Sequence, residues 1–393
     1  MFELVKRYVK GDRIIWIVII TLSLISLLAV YSSTGTLAYK YQGGNTIYYF
    51  FKHAIFLFMG LLVIFITHLI PYKYYSWLSQ VFLLITIPLL IFTLVMGTSL
   101  NQAARWVTIP GLGFTIQTSD FAKLALIMYI ARVLSLKQDK VDNFKEAFIP
   151  IIVPVIIVCG LILPANFSTA AILFITSIII MFVGRIKFKF LALLMLTGII
   201  CLGIFVGIAL LVNSEGRIGT WKNRIEHYVS GDSEGNYQVE QAKIAITNGG
   251  ILGKGPGNSM QRNYLPHPYS DFIYAIIIEE YGITGGVLVL FLYLYLLFRA
   301  GVIVRKSIRS FPAFLAIGLS ISLVFQAMVN MGVAVNLFPV TGQTLPLVSM
   351  GGTSMLFTSI ALGIILSISR SNQLQEEQES LEENENIENE EAA

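Results

Sequence analysis

The sequence predicts an all-α polytopic membrane protein with about ten transmembrane helices. Of its 393 residues, 55% are hydrophobic and only 13% are charged, a balance that soluble globular proteins of this length do not have. Apolar runs of the roughly 20 residues that a helix needs to cross a bilayer recur along the chain. Short basic or glycine- and proline-containing stretches separate these runs, as connecting loops would.

Ten apolar segments account for the predicted helices. In chain order they are residues 14–32, 50–70, 77–96, 121–136, 147–164, 168–184, 188–212, 272–298, 312–336 and 352–369. The first follows a basic stretch, as the apolar part of a signal peptide would. It is longer than that part of a signal peptide, and no small-x-small cleavage site follows it, so we predict a first membrane helix.

Lysine and arginine set the predicted orientation. With the N-terminus inside, the segments assigned to the cytoplasm hold 17 of the 27 basic residues, so both termini are predicted to be cytoplasmic. We expect residues 1–371 to form one membrane domain. The glutamate-rich residues 372–393 are predicted to be a disordered cytoplasmic tail, because they contain too few large apolar residues to fold.

The largest outward loop, about residues 213–270, joins the seventh and eighth helices. A structureless loop of this length is improbable in a compact protein, so we expect a folded lid over the membrane domain. Within it, "YQVEQAKIAITNGG" predicts a short amphipathic helix with a glycine cap. Its predicted apolar positions are Val239, Ala242, Ile244 and Ile246.

A glycine-rich stretch in the same loop, "GILGKGPGNS", invites comparison with a phosphate-binding loop. Its spacing does not fit a nucleotide site, because Lys254 is followed by Gly255 rather than by Ser or Thr and no parallel sheet is predicted. We expect instead a flexible turn near an anionic substrate.

A single acid, Asp271, marks the point where this loop meets the eighth helix, in "NYLPHPYSDFIYAIIIEEYG", residues 263–282. A carboxylate within hydrogen-bond reach of a substrate hydroxyl can act as a general base. With Ser270 as the helix cap, the helix dipole would stabilise the anion and weaken the base. Apolar surroundings would favour the protonated form instead, and the sequence leaves open which effect is larger.

Two further acids, Glu279 and Glu280, lie eight and nine residues after Asp271. A continuous helix would place them roughly 12 Å deeper and turn them about 80° and 180° away from it. We therefore expect both to be structural, with Arg105 or Lys123 as a pairing partner for one of them.

A second outward stretch, "ARWVTIPGLGFTIQTSDFAKL", holds Arg105, Gln117, Asp120 and Lys123 just before or within the fourth helix. Asp120 and Lys123 are three residues apart, so an internal ion pair would explain them. Ionisable groups at membrane depth usually face a cavity or a site, which favours a function. We predict that Arg105, Gln117 and Lys123 contact the substrate and that Asp120 supports them.

A third stretch, "FPVTGQTLPLVSMGGTS", places prolines and glycines between the ninth and tenth helices. Irregular backbone at membrane depth is tolerated where it lines a polar cavity or is buried in protein. We predict a substrate contact at Ser349 in this segment. Just upstream, Gln326 and Asn330 face the same side of the ninth helix, and polar packing explains them about as well as substrate binding does.

These three motifs, in this order, resemble those of the SEDS family, the shape, elongation, division and sporulation proteins that include RodA and FtsW. The likeness covers nearly the whole chain and favours the FtsW side, hence a role in division, with elongation left open as the alternative. It implies a peptidoglycan glycosyltransferase of the bacterial cytoplasmic membrane that polymerises lipid II, the lipid-linked disaccharide-peptide precursor, on the outer face.

The same resemblance implies that Asp271 is the catalytic residue. It also implies a partner, a class B penicillin-binding protein that cross-links the product, alongside other membrane proteins of the division or elongation machinery. For the lipid diphosphate that leaves during polymerisation, the candidate ligands are Arg105, Lys123 and Arg262.

The resemblance is incomplete at two places. His267 stands where relatives commonly have a glutamate, and "PANFSTA" has Asn166 and Ser168 where many have an aspartate and a glycine. The roles of those acids therefore do not carry over. A divalent cation, Mg²⁺ or Mn²⁺, is left open as a cofactor, because no ligand cluster in the sequence requires one.

Two other functions fit the same composition. One is a flippase or other transporter of the lipid-linked precursor, which also needs many helices and polar intramembrane residues. The other is a non-catalytic scaffold that recruits partners through its acidic tail. Nothing in the sequence indicates a nucleic-acid partner.

Overall fold

The computed structural model describes residues 10–100, 103–108, 115–211 and 237–391. Its α-helices are α1 (Arg13–Ser33), α2 (Gly35–Tyr41), α3 (Thr46–Leu69), α4 (Lys73–Met96), α5 (Thr118–Leu136), α6 (Ile149–Ile162), α7 (Phe167–Val183), α8 (Phe188–Leu211), α9 (Tyr237–Gly249), α10 (Ile273–Lys306), α11 (Ser310–Ala334) and α12 (Thr353–Glu391). An antiparallel sheet of three strands, β1 (Thr98–Leu100), β2 (Ala103–Thr108) and β3 (Thr115–Gln117), lies between α4 and α5.

Ten of these helices match the ten predicted membrane segments. Within the described residues, seven helices are apolar and long enough to cross a membrane: α1, α3, α4, α6 with the π-helical turn before it, α10, α11 and α12. The helices α7 and α8 contain shorter apolar stretches. The remaining one, α5, carries Asp120, Lys123 and Arg132 within an otherwise apolar run. The predicted class, a polytopic helical membrane protein, is confirmed.

The sequence does not predict α2 or the sheet. The helix α2 has only seven residues and the strands have three or six, so neither carries a periodic pattern long enough to recognise. Strand pairing sets Trp106 opposite Gln117 and Val107 opposite Ile116. The sheet therefore fixes the backbone path of the second motif directly before α5.

The helix predicted within the large loop is confirmed as α9, which ends at Gly249. Three residues at helical spacing form its buried face: Val239, Ala242 and Ala245. Ile244, predicted to lie on that face, is 42% exposed because Ala245 takes its place. The part of the loop from residue 213 to residue 236 lies outside the described residues.

The helix α10 is broken near its start. Gly282 has a φ of 73° and a ψ of −176°, which are far from helical values. Residues 273–281 therefore form a separate short helix before the long apolar part. Glu279 and Glu280 lie on this short helix before the break, whereas Asp271 precedes the helix, so the three acids do not share the one continuous helix that the sequence predicts.

The glycine-rich turn packs directly against this break. The backbone amides of Lys254 and Gly255 donate to the carbonyls of Glu279 and Glu280 at 3.0 and 2.9 Å. A Cβ atom at Gly253 would lie 2.2 Å from the Glu280 carbonyl oxygen, so only glycine permits this approach. The turn clamps α10, and these amides serve the helix rather than a phosphate. This differs from the flexible turn that the sequence predicts.

The start of the described chain meets α10 and the first polar turns of α12 at one end of the bundle. Asp12 caps α1 by accepting from Ile14 N at 2.9 Å, and its other oxygen lies 2.5 Å from Arg299 Nη2 of α10. Gly11 N donates to Gln373 Oε1 at 3.0 Å. These contacts join α1, α10 and α12 at the end of the bundle opposite Asp271.

The helix α12 continues far beyond its apolar part. The sequence predicts disorder from residue 372, whereas the structure has a helix as far as Glu391. Three contacts hold its first polar turns: Asn372 Nδ2 to Ile303 O (3.0 Å), Glu376 to Lys306 (3.0 Å) and Glu377 to Lys10 (2.7 Å). From residue 376 to residue 386 every residue is exposed.

Candidate active site

Asp271 lies on the turn between the large loop and α10. The helix begins two residues later, with Phe272 as its N-cap. Ser270, predicted to cap the helix, instead donates its hydroxyl to Asp271 Oδ1 at 2.8 Å. Asp271 is partly exposed, while residues 272–280 are buried. The carboxylate therefore stands at the boundary of the buried core.

The backbone around Asp271 is held at three consecutive carbonyls. The three bonds run from Met350 N to Tyr269 O (2.9 Å), from Ser349 Oγ to Ser270 O (2.6 Å) and from Asn330 Nδ2 to Asp271 O (3.0 Å). Two of the donors belong to the segment between α11 and α12, and the third belongs to α11. The first and third sequence motifs therefore meet at Asp271.

The segment between α11 and α12 is irregular, and residues 345–349 are buried. Side chains of the surrounding helices satisfy its carbonyls, as backbone at membrane depth requires. Tyr293 of α10 donates to the Pro346 carbonyl, and Ser26 of α1 donates to the Val348 carbonyl at 2.8 Å. Between them Leu347 has a φ of 64°, which few L residues adopt. These bonds hold a strained turn in place.

Sequence reasoning missed Ser26 and His53, which support this turn. His53 Nε2 lies 2.7 Å from Ser26 Oγ, and both residues are buried. Because the Ser26 hydrogen goes to the Val348 carbonyl, the imidazole ring donates through Nε2. The available signal was that both are polar residues inside apolar helices, where such residues usually have a partner.

Two amides on α11 hold the same segment. Gln326 Nε2 donates to the Thr344 carbonyl at 2.9 Å, and Asn330 Nδ2 donates to the Gln343 carbonyl at 2.7 Å. The two amides are one helical turn apart, and both side chains are buried. Of the two explanations that the sequence leaves open, polar packing between elements accounts for both contacts.

Asp120 and Lys123 form an ion pair with an Nζ to Oδ1 distance of 2.8 Å. Lys123 also donates to Gln326 Oε1 at 2.7 Å, and both charged residues are buried. Among the described residues, none donates to the other Asp120 oxygen, Oδ2. Asp120 and Lys123 line a cavity of about 30 Å³ together with Ser354 and Thr358. That volume has room for one or two water molecules.

Three other predicted substrate contacts occupy different surroundings. The Ser349 hydroxyl donates to the Ser270 carbonyl and accepts from a backbone amide of its own segment at 2.8 Å. This geometry favours a positioning role for Ser349. Gln117 is partly exposed at the end of β3. The backbone of Arg105 lies in β2, and its side chain is outside the part of the structure that is described.

Glu279 and Glu280 are buried against the large loop. Glu279 accepts from Lys254 Nζ at 3.2 Å, from the Ser259 hydroxyl and from two loop amides. Glu280 accepts from the hydroxyl of Ser32 at the end of α1. The two carboxylates therefore join the loop to the helical bundle.

The two remaining cations proposed for the diphosphate both have protein partners. Arg262 is partly exposed, and its Nη1 donates to Ser32 O and Oγ at 3.1 and 3.2 Å. Lys123 pairs with Asp120, so the prediction that it pairs with one of the two glutamates is wrong. Glu279 pairs with Lys254 of the loop instead.

His267, which replaces a commonly acidic residue, is exposed on the loop beside Tyr269. The two rings meet edge to face, with centroids 6.1 Å apart. Burial, followed by the charge of the Asp271 carboxylate, raises the pKa of the Tyr269 phenol. Tyr269 therefore remains a neutral hydroxyl beside Asp271 at ordinary pH.

Asn166, at the second departure from the family pattern, caps α7. Its Oδ1 accepts from Thr169 N at 3.4 Å. The Gln343 amide lies 3.5 Å from the same oxygen and donates to Thr169 Oγ1 at 2.9 Å. The start of α7 is thus tied to the segment between α11 and α12, and an amide oxygen serves as the cap.

Among the described residues, candidate ligands for a divalent cation do not cluster. Within them, no group of three or more His, Cys, Asp or Glu side chains is placed to hold a metal ion. The unpartnered oxygen of Asp120 belongs to a carboxylate already paired with the Lys123 ammonium, which disfavours a second cation there.

Comparison with known proteins places the chain in a family. The family model named for FtsW, RodA and SpoVE, described as cell cycle protein, matches residues 12–374. The chain belongs to this family. The resemblance drawn from the three motifs is confirmed, and the FtsW/RodA/SpoVE match spans all ten predicted helices.

Two curated relatives cover nearly all of this FtsW/RodA/SpoVE protein. A Haemophilus influenzae protein named probable peptidoglycan glycosyltransferase FtsW is 34% identical over 92% of this chain and 91% of its own length. Stage V sporulation protein E of Bacillus subtilis is 34% identical over 91% of this chain and 97% of its own length. The FtsW name among these relatives agrees with the expected FtsW-like character.

A solved structure supports the family fold. It is a peptidoglycan synthase complex, described as showing the structural coordination of polymerization and crosslinking. One of its chains matches with a TM-score of 0.68 over 93% of this chain and 99% of that chain. The sequence identity is 24%, so the likeness is one of fold.

Proposed function

We propose that this FtsW/RodA/SpoVE protein is a peptidoglycan glycosyltransferase that polymerises lipid II, with Asp271 as its general base. Relatives that cover nearly the whole chain carry this activity in their names. The observation that carries the residue assignment is the placement of Asp271. A partly exposed carboxylate sits at the boundary of the buried core, on a turn held at three consecutive carbonyls.

The reaction needs a base and a fixed geometry. A sugar hydroxyl of one substrate forms a bond to the anomeric carbon of the other, while the bond from that carbon to the lipid diphosphate breaks. Asp271 takes the proton of the attacking hydroxyl, a contribution of about 10²- to 10⁴-fold to the rate. The Ser270 hydroxyl bonded to Oδ1 orients the carboxylate, and attack opposite the leaving diphosphate inverts the anomeric centre.

Arg262 is our first candidate for receiving the diphosphate. It is partly exposed on the loop side of the bundle, and its guanidinium group already lies at the end of α1. Arg105 and Gln117, on the neighbouring sheet, are the other proposed contacts. Lys123 is buried in an ion pair, so a substrate contact there requires the polar cavity beside α5 to open.

The proposed orientation puts both termini in the cytoplasm and Asp271 at the outer face. It rests on the 17 of 27 basic residues assigned to cytoplasmic segments. In this orientation the lipid tail of the substrate stays in the membrane, while its sugars reach the turn at Asp271. A tag at either terminus should therefore be protected from protease added outside intact cells.

We infer that the chain works with a class B penicillin-binding protein in the division machinery. Support comes from the matching fold, which was solved in a complex that coordinates polymerization with crosslinking, and from the FtsW names of relatives. Residues 1–371 would form the catalytic membrane domain. Depletion of the protein should then block septation while cells continue to elongate.

The deciding experiment supplies labelled lipid II to the purified protein, alone and with its transpeptidase partner. Wild-type protein should form glycan strands, whereas Asp271→Ala and Asp271→Asn should not. Asp139→Ala, which removes an exposed aspartate beyond the other end of α5, is the matched control and should polymerise normally. Normal polymer from Asp271→Ala would refute the assignment. Translocation of lipid II in liposomes without polymer would replace it with a flippase.

A further inference from the structure

Asn330 joins the two motifs that meet at the active site. Its Nδ2 donates to the Asp271 carbonyl at 3.0 Å and to the Gln343 carbonyl at 2.7 Å. We propose that Asn330 is a positioning residue for Asp271, a role that rests on the function proposed above. It ties the backbone of the general base to the segment between α11 and α12.

The chemistry of the amide matches this task. Both partners are carbonyl oxygens, which only accept hydrogen bonds, so the Asn330 nitrogen has to face them and each partner takes one amide hydrogen. The side chain is 1% exposed, and water does not compete for these bonds. Among the described residues none donates to Asn330 Oδ1, so the side-chain hydrogen bonds of Asn330 to these residues come from its nitrogen.

The hydrogen bond from Asn330 acts on the backbone of Asp271 itself. The bonds to the Tyr269 and Ser270 carbonyls fix the chain that enters the turn, and the Asn330 bond fixes the peptide plane that follows Asp271. That plane and the preceding one determine where the Asp271 side chain leaves the backbone. A displacement of about 1 Å in a catalytic group can cost roughly 100-fold in rate.

Support from α11 keeps Asn330 in register. One turn earlier Gln326 holds the adjacent Thr344 carbonyl, and its own oxygen accepts from Lys123 at 2.7 Å. Lys123 in turn pairs with Asp120 at 2.8 Å. The buried ion pair therefore orients Gln326. The side chains of Gln326 and Asn330 together fix the position of the segment between α11 and α12 relative to Asp271.

The test compares three variants in the lipid II polymerisation assay. Asn330→Ala removes both donors, and Asn330→Asp keeps the side-chain volume but presents oxygens to both carbonyls. Asn372→Ala is the matched control. Asn372 is likewise a buried asparagine with two bonds from Nδ2, to Ile303 O and Ser307 Oγ, both at 3.0 Å, but it lies at the opposite end of the bundle.

We expect Asn330→Ala and Asn330→Asp to lower kcat about tenfold to a hundredfold while KM for lipid II stays within about twofold. Asn372→Ala should keep kcat, although its melting temperature should fall by about as much as that of Asn330→Ala. Amide hydrogen exchange over residues 264–275 should speed up in the Asn330 variants and not in Asn372→Ala. If Asn330 had a purely structural role, the melting temperature of all three variants would fall. The Asn330 variants would then not differ from Asn372→Ala in kcat or in hydrogen exchange near Asp271.

The proposal is overturned if folded Asn330→Ala has the kcat of Asn372→Ala, or if exchange near Asp271 is unchanged. If Asn330→Ala cannot be isolated folded, Asn330→Ser keeps one donor and should give an intermediate kcat and intermediate exchange; wild-type values for both would overturn the proposal. Failure of the wild-type protein to polymerise lipid II would refute the proposed function instead. The exchange measurement would still decide whether Asn330 fixes the Asp271 backbone.

Discussion

The hydroxyl of Ser349 donates to the backbone carbonyl of Ser270 at 2.6 Å. These two residues are 79 positions apart, and each belongs to a different sequence motif. Because Ser270 directly precedes Asp271, the hydroxyl of one motif sets the approach of the chain to the proposed base in the other. Ser349 thus acts on the carboxylate through the backbone.

Ser349→Ala should lower kcat for lipid II polymerisation by roughly tenfold, because one of the three bonds that fix the turn is lost. The apparent KM should hardly change. Ser367→Ala is the control, since Ser367 Oγ likewise donates to a carbonyl, that of Ile70, and is buried at the other end of the bundle. A tenfold rise in KM with normal kcat would instead support the substrate contact that the sequence predicts.

Asp120→Asn and Lys123→Met should each destabilise the protein more than the double variant does. Either single change leaves a buried charge without its partner, at a cost of about 3–5 kcal/mol, whereas removing both charges avoids most of that cost. Thermal unfolding midpoints in one detergent would measure this. Equal and additive losses would mean that the pair at 2.8 Å contributes no coupling.

Gly282→Ala should prevent correct folding of the large loop. Its added Cβ would lie 2.0 Å from the Ile251 carbonyl oxygen, at a φ of 73° that alanine disfavours. Gly301→Ala, in the same helix and with no atom within 4 Å of the added Cβ, should be neutral or slightly stabilising. Limited proteolysis would report the difference, as faster cleavage within residues 250–262 of the Gly282 variant. Equal protease resistance of the two variants would contradict the clamp.

Deletion of residues 379–393 should leave polymerisation and the unfolding midpoint unchanged. It keeps the Asn372 anchor and the two exposed ion pairs of Glu376 and Glu377, and exposed pairs contribute only about 0–1 kcal/mol each in any case. Deletion from residue 371 removes the anchor and should lower the midpoint. Loss of division in cells carrying the shorter deletion, with polymerisation intact in vitro, would support a scaffolding role for the tail.

The sequence predicts the membrane helices well because each apolar run has the length that a bilayer imposes. It also offers an ion pair as one of two explanations for Asp120 and Lys123, since residues three apart on a helix are neighbours. In both cases the information is local. The position of Asp271 at the start of α10 follows from the same kind of pattern.

Contacts between distant segments were not predictable in the same way. The partners of Glu279 lie 18 to 25 positions before it in a loop whose path periodicity does not reveal, and one glycine in an apolar run does not reveal the positive φ of Gly282. Asn330 reaches a carbonyl 59 positions away, and periodicity cannot distinguish that contact from substrate binding. Ser349 has the residue type of a ligand contact, but folding commits its hydroxyl to the backbone.

The first described helix, α1, waits long for two of its polar partners. Arg299 follows Asp12 by 287 positions, and the Val348 carbonyl follows Ser26 by 322. At about 5–20 residues per second, the ribosome needs roughly 15 to 60 seconds to supply them. During that interval α1 stands in the bilayer as an independent span. A chain released early by the ribosome would leave Asp12 without Arg299 and would leave His53 as the described partner of the Ser26 hydroxyl.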